Sequence, residues 1–188
     1  MKHIHTKQLF YALAISFLFF SCKNFNGYKI SGEIKNADQT KVFLEDIFNG
    51  PPAIIDTTTV INNTFQLKNY STRGIYRLRF GQVEDNSIYL FIEEKDDIKV
   101  IADLKDLSKY KVIGSKASTS IAKLMSTSKN NFAELSKIIR ELKVATPATK
   151  DSLETVFSNG KKKHIDFIKQ FVDKEPNNDV ACFALTFL

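Results

Sequence analysis

The feature that most constrains this chain is a change of hydrophobic period at Gly114-Ser115. Before it, apolar residues recur every second position. Tyr28, Ile30, Gly32 and Ile34 alternate with Lys29, Ser31, Glu33 and Lys35, the pattern of a half-buried strand. Val42 with Leu44 marks a second strand. The β-branched, Thr-rich stretch from Ile54 to Val60 marks a third. Asn62-Asn63 is a turn signal, and Phe65 with Leu67 follows at period two, so a hairpin is expected there. Tyr76, Leu78 and Phe80 alternate with Arg77 and Arg79, and Gly81 closes that strand. The unbroken apolar run Ile88–Ile92 suits a central strand covered on both faces. Ile98, Val100 and Ala102, then Tyr110 to Ile113, complete eight strands.

Beyond Ser115 the period becomes helical. Ile121, Leu124, Met125, Phe132, Leu135, Ile138, Ile139 and Leu142 share one face, and Thr146-Pro147 is expected to end that helix. A second stripe starts near Thr149: Leu153, Val156, Phe157, Ile165, Ile168, Phe171 and Val172. Gly160 interrupts it on the buried side, where it permits close packing or a kink. Pro176 breaks the pattern, and Asn178 or Asp179 would cap a third helix. The fold class expected is α+β: an N-terminal antiparallel β-sandwich or barrel-like domain, followed by a helical appendage.

The N-terminus carries a different message. Lys2 and Lys7 precede an apolar core from Leu9 to Phe20, and Ser21 stands just before Cys22. That is the layout of a secretory signal peptide, and Leu18-Phe19-Phe20-Ser21-Cys22 resembles a bacterial lipobox. It departs from that pattern in placing Phe19, not an aliphatic residue, three before the cysteine. An uncleaved anchor is the alternative, but a spanning helix needs about 20 apolar residues, more than Leu9–Phe20 supplies. The resemblance implies cleavage after Ser21 and acyl chains on Cys22. Residues 1–21 would then be signal, 22–27 a tether, 28–115 the β-rich domain and 116–188 the helical region. Lys23 stands where inner-membrane retention signals usually place Asp, which favours the outer membrane, facing the periplasm.

The formal charge of +6 includes Lys2 and Lys7. What remains is mildly basic and, with an envelope address, argues against nucleic acid. Two cysteines are present. With Cys22 lipidated, Cys182 has no partner in the chain. Its surroundings, Val180-Ala181-Cys182-Phe183-Ala184-Leu185, form an apolar helical pattern, so a buried thiol is expected, with redox exchange as the alternative. No C-x-x-C occurs. The chain stops at Phe187-Leu188 without a polar turn, so these residues either pack back on the helical pair or belong against a following domain.

Several stretches, taken in order, resemble the uncharacterised β-rich N-terminal domain of lipid-anchored, thioredoxin-like thiol:disulfide interchange proteins of Gram-negative bacteria. They are Tyr28–Asn36, Lys41–Asp46, Ile54–Leu67, Tyr89–Asp103 and Val112–Met125, followed by Phe167–Asp179. The resemblance implies that a thioredoxin-like domain should follow. The family's active-site cysteines map onto no position here, so none is carried over. The expectation is a chain truncated before that domain, or one that docks a separate thioredoxin-like envelope protein.

Candidate sites elsewhere each have a plain alternative. Asp56 beside Thr57 and Thr58 could bind a ligand, or bond its own backbone at a strand end. Asp56-Thr57-Thr58 and Asp151-Ser152-Leu153 also resemble a short bacterial O-glycosylation signal. Glu93, Glu94, Asp96 and Asp97 lack calcium-loop spacing and suit a solvated turn. Arg77 and Arg79 could grip an anion, but a half-exposed strand face usually leaves them solvated. Lys161-Lys162-Lys163 could meet anionic headgroups or simply face water. His164 has no second ligand at metal spacing. No catalytic constellation, metal site or cofactor is expected. The reading is a non-enzymatic binding or docking module on a membrane, with a thiol:disulfide interchange component as its rival.

Overall fold

A computed structural model describes residues 27–188 except Asn49 and Ser71. The expected signal, Cys22 and the tether up to Asn26 lie outside the described residues.

Eight strands form two four-stranded sheets. The first sheet has the order β4 (Thr64–Asn69), β1 (Tyr28–Lys35), β7 (Asp97–Asp103), β8 (Lys111–Ile113). The second has the order β3 (Ala53–Thr59), β2 (Lys41–Asp46), β5 (Gly74–Phe80), β6 (Ser87–Ile92). The sheets face each other and do not close into a barrel. The alternating residues of the sequence fill the space between them: Ile30, Ile34, Val42, Leu44, Leu78, Phe80, Ile88, Leu90, Ile98 and Val100 are all fully buried. Each such side chain contributes about 1.5–3 kcal/mol of burial.

Three details differ from the sequence reading. The Asn62-Asn63 turn forms, with both residues at positive φ and reciprocal backbone bonds between Ile61 and Thr64. Its arms then part: β3 pairs with β2 and β4 with β1. The turn is a corner between sheets, because each arm finds a longer partner elsewhere. Second, β1 and β7 run parallel, which the long connection between them allows. Third, Ile88–Ile92 is an edge strand. It is apolar on both faces because a helix covers its outer one.

That helix, α1 (Lys116–Leu142), begins at Ser115, whose hydroxyl caps it by accepting from the Ser118 N–H. It ends at Leu142 rather than at Thr146, and α2 (Pro147–Lys174) starts at Pro147. Proline at a first helical position costs no bond, since that N–H has no partner in any case. A methyl on Gly160 would stand 2.9 Å from Leu135 Cδ2, so glycine there permits the close packing expected. Phe132, Ile139 and Val156, expected on the buried stripes, are exposed. The short α3 (Asn178–Leu185) is capped by Asn177, not by Asn178 or Asp179. Ile121, Val180, Ile75 and Phe91 join the helices to the outer face of the second sheet. No helix among the described residues is long and apolar enough to cross a membrane.

Candidate functional site

The outer face of the second sheet is divided in two. Where β5 and β6 begin and end, Ile75 and Phe91 lie under the helices. Further along β5, Arg77 and Arg79 are not solvated as expected. Their side chains are 13% and 11% exposed and converge on Glu45 of β2, itself 4% exposed. Arg77 Nε donates to Glu45 Oε2 at 2.6 Å; Arg79 donates to Oε1 from Nε at 2.9 Å and Nη2 at 2.6 Å. Glu45 stands opposite Arg77 in the ladder, so the register of β2 on β5 builds this triad. Burial raises the Glu45 carboxyl, but bonds from Arg79 and Arg77 outweigh it and hold the group below its ordinary value. Arg79 also lies over the Phe43 ring. The triad is therefore internally satisfied and has little capacity left for an anion.

Beside it opens a cleft of about 450 Å³. Its floor is Tyr89 of β6, cross-strand neighbour of Arg77. Glu84, which meets Arg77 at 3.5 Å, stands at its rim. Met125 and Phe132 of α1 and the C-terminal Phe187 form apolar walls. Phe187 is held by a relay: the Asn131 amide donates to His164 Nδ1 at 3.2 Å, and His164 Nε2 donates to the Phe187 carbonyl at 2.9 Å. His164 is thus a buried positioning residue, its ring tilted by 52° against that of Phe132 at 4.6 Å. Phe187 packs back onto the helical pair, while Leu185 and Leu188 stay exposed.

Two residues of this cleft, Tyr110 and Ser128, bear the only buried side-chain polar atoms without a hydrogen-bond partner among the described residues. Ser128 is 1% exposed. Burial pushes the Tyr110 phenol well above its ordinary range, with the nearby Tyr89 adding to the effect. A buried hydroxyl left unmade costs about 1–3 kcal/mol. Both residues belong to the lining of the same cleft, which has aromatic walls, while their hydroxyl oxygens are themselves closed to solvent. Neither residue carries a sequence signal, because a lone Tyr and a lone Ser at helical or strand positions are ordinary; Glu45 was missed for the same reason.

The other sequence candidates lie elsewhere. Asp56 accepts from the Thr57 N–H, the plain reading, and from the buried Tyr28 hydroxyl at 3.1 Å. Thr57 and Ser152 are both exposed. The acidic turn is occupied locally: Asp97 pairs with Lys29, Glu93 with Arg73, and Asp96 accepts from the Glu93 N–H. Among the described residues no three of His, Cys, Asp and Glu converge as metal ligands. Lys161, Lys162 and Lys163 are exposed on α2. Cys182 is exposed, contrary to the burial expected. On an eight-residue helix only the face bearing Val180 and Ala184 meets the core, and Cys182 is on the other.

Residues 28–120 match a family described as a domain of unknown function, DUF4369. The match covers both sheets and runs into the first turns of α1. Nothing in it links the domain to thioredoxin-like proteins. Searches of curated proteins and of solved structures gave no match.

Proposed function

We propose that this chain, which carries a DUF4369 domain at residues 28–120, is a lipid-anchored envelope protein whose cleft makes it a non-catalytic binding module. The anchor is Cys22, on the strength of the Leu18–Cys22 pattern. Outer-membrane attachment facing the periplasm follows from Lys23. The observation that supports binding is the cleft walled by Tyr89, Phe132 and Phe187, whose lining includes Tyr110 and Ser128, two residues with unpartnered hydroxyls that are themselves closed to solvent. Aromatic walls, with Glu84 and Asp85 at the rim, suit a small cyclic ligand rich in hydroxyl or amide groups. Sugars are the envelope class that answers this description. The test is a thermal-shift series with N-acetylglucosamine, its oligomers and short peptides, since a ligand at about 100 times its Kd adds about 2.7 kcal/mol. A saccharide-dependent rise that disappears in Tyr110→Phe supports the reading. No rise with any member of the series rejects it.

The rival reading, a thiol:disulfide interchange component, gains one observation: the exposed thiol of Cys182. In an oxidising periplasm such a thiol can form a mixed disulfide with a thioredoxin-like protein. A non-reducing gel of envelope extracts, with and without Cys182→Ser, separates the two readings.

A further inference from the structure

We infer that Ser152 is a site of O-glycosylation: a sugar joined to its Oγ at the tip of the α1–α2 hairpin and seated on the apolar hollow beside it. The inference concerns a covalent modification, not the cleft, and takes from the reading above only the envelope address.

Three observations meet at this residue. The first is position. Asn131 is the last buried residue of α1 and His164 the first of α2. Between them the hairpin carries no buried residue. Ser152 lies roughly 18 Å along α2 from His164, at about 1.5 Å per residue. A segment with so little burial opens locally at low cost, and the first turns of a helix fray. A transferase therefore reaches the chain on either side of Ser152.

The second is a free hydroxyl. Thr149 donates its hydroxyl to the Thr146 carbonyl at 3.2 Å, and Thr155 donates its own to the Asp151 carbonyl at 2.9 Å. Ser152, between them, makes no such bond. Its hydroxyl has no hydrogen-bond partner among the described residues, and neither has the Asp151 carboxylate; both residues are exposed.

The third is a seat. An open hollow of about 540 Å³ adjoins Ser152, with Val144, Ala145, Ala148 and Leu153 as its apolar lining. Glu141, which pairs with Lys137 at 3.9 Å, and two threonines complete it. Val144 is 84% exposed. The C–H face of a pyranose would cover these side chains and leave its hydroxyls in water, as a surface glycan does.

The same geometry separates the two triplets that resemble an O-glycosylation signal. In Asp56-Thr57-Thr58 the Asp56 carboxylate is engaged: Oδ2 accepts from the Tyr28 hydroxyl at 3.1 Å and Oδ1 from the Thr57 N–H at 2.8 Å. Its backbone is held in β3 by pairing with β2. In Asp151-Ser152-Leu153 both the carboxylate and the hydroxyl are free. The co-reactant is a sugar activated as its phosphate ester, handled by a separate transferase. Ser152 Oγ attacks the anomeric carbon and forms the new C–O bond. The bond from that carbon to the phosphate oxygen breaks, and its electron pair leaves with the phosphate. The serine proton passes to a base of the transferase.

The test is mass spectrometry of the full-length protein purified from the envelope of its own organism. Trypsin releases Ser152 in the peptide Asp151–Lys161 and Thr57 in Val42–Lys68. Electron-transfer fragmentation, which keeps glycans attached, is expected to place a sugar on Ser152. The added mass should be lost entirely in Ser152→Ala and in Asp151→Asn and kept in Thr155→Ala. A bare Asp151–Lys161 peptide from protein acylated at Cys22 overturns the inference and leaves the anchor standing, whatever else covers the hollow. Sugar found on Thr57 alone overturns it too. Sugar on Ser152 of a chain without acyl groups upholds it and removes the anchor. A chain with neither overturns both.

Discussion

The Ser118 hydroxyl accepts from the Phe91 N–H at 2.9 Å and donates to the Phe91 carbonyl at 2.8 Å. One side chain thereby completes both backbone groups of an edge-strand residue. Phe91 and Ser118 are both fully buried, so water cannot replace these bonds. The hydroxyl acts as a one-residue substitute for a neighbouring strand, and it fixes α1 on β6 in a single register. Exposed edges invite pairing with other chains; here the helix removes that opportunity at its first turn.

Ser118→Ala should therefore cost about 2 kcal/mol, since two buried backbone groups lose their partner. Urea unfolding followed by far-ultraviolet circular dichroism measures this. A loss under about 0.5 kcal/mol, the range of an ordinary surface substitution, would mean that the contact is incidental.

Glu45→Ala should cost about 3 kcal/mol, because it leaves two nearly buried guanidinium groups facing each other. Replacing all three residues together, Glu45→Leu with Arg77→Met and Arg79→Leu, should restore most of that loss, as apolar substitutes for buried ion clusters commonly do. A triple variant weaker than the single one would show that the triad contributes net stability of its own.

The same triad sets the acid limb of stability. The Glu45 carboxyl lies below its ordinary value of 4.5 in the folded chain, so the unfolded chain binds its proton first. Its contribution is complete above pH 4.5 and is lost as pH falls through the folded value. Asp106, lowered to about 2 by the Ser108 hydroxyl and Lys109, acts in the same direction between 3.8 and about 2. Asp96, raised by burial, opposes them slightly. At the alkaline end, Tyr28 and Tyr110 are raised mainly by burial, so stability should decline once pH exceeds their ordinary 10.0. Urea midpoints across pH give the curve, and Glu45→Gln should flatten its acid limb.

Gly114→Ala tests the point where the period changes. Gly114 has φ +97°, and an added Cβ would meet the Asp97 carbonyl oxygen at 2.0 Å. Strain and overlap together should cost at least about 2 kcal/mol, read as a fall in Tm. An unchanged Tm would show that the β8–α1 junction can shift without cost.

Much of the fold was legible because period alone separates the two halves: the eight strands and the break at Gly114 follow from alternation. Partnership was not. The Asn62-Asn63 turn was visible, but nothing local shows that its arms join different sheets. Ile88–Ile92 looked central because a covering helix makes an edge strand apolar on both faces. The candidate site was almost illegible. Glu45 acquires meaning only once Arg77 stands opposite it, and Tyr110, just before β8, and Ser128 meet the same cleft only because α1 packs against both β6 and β8. Cys182 misled because an apolar run on a short helix need not be buried all round.

The most direct test of the cleft is the melting temperature of the ligand-free Tyr110→Phe, Ser128→Ala double variant. On the proposed reading the two hydroxyls have no partner in the empty protein and weaken it, so their removal should raise Tm by several degrees, at about 2–4 °C per kcal/mol for a chain of this size, while abolishing any saccharide-induced shift. A double variant that melts below the unaltered protein would contradict the account, because it would show that both groups are already satisfied in the ligand-free fold.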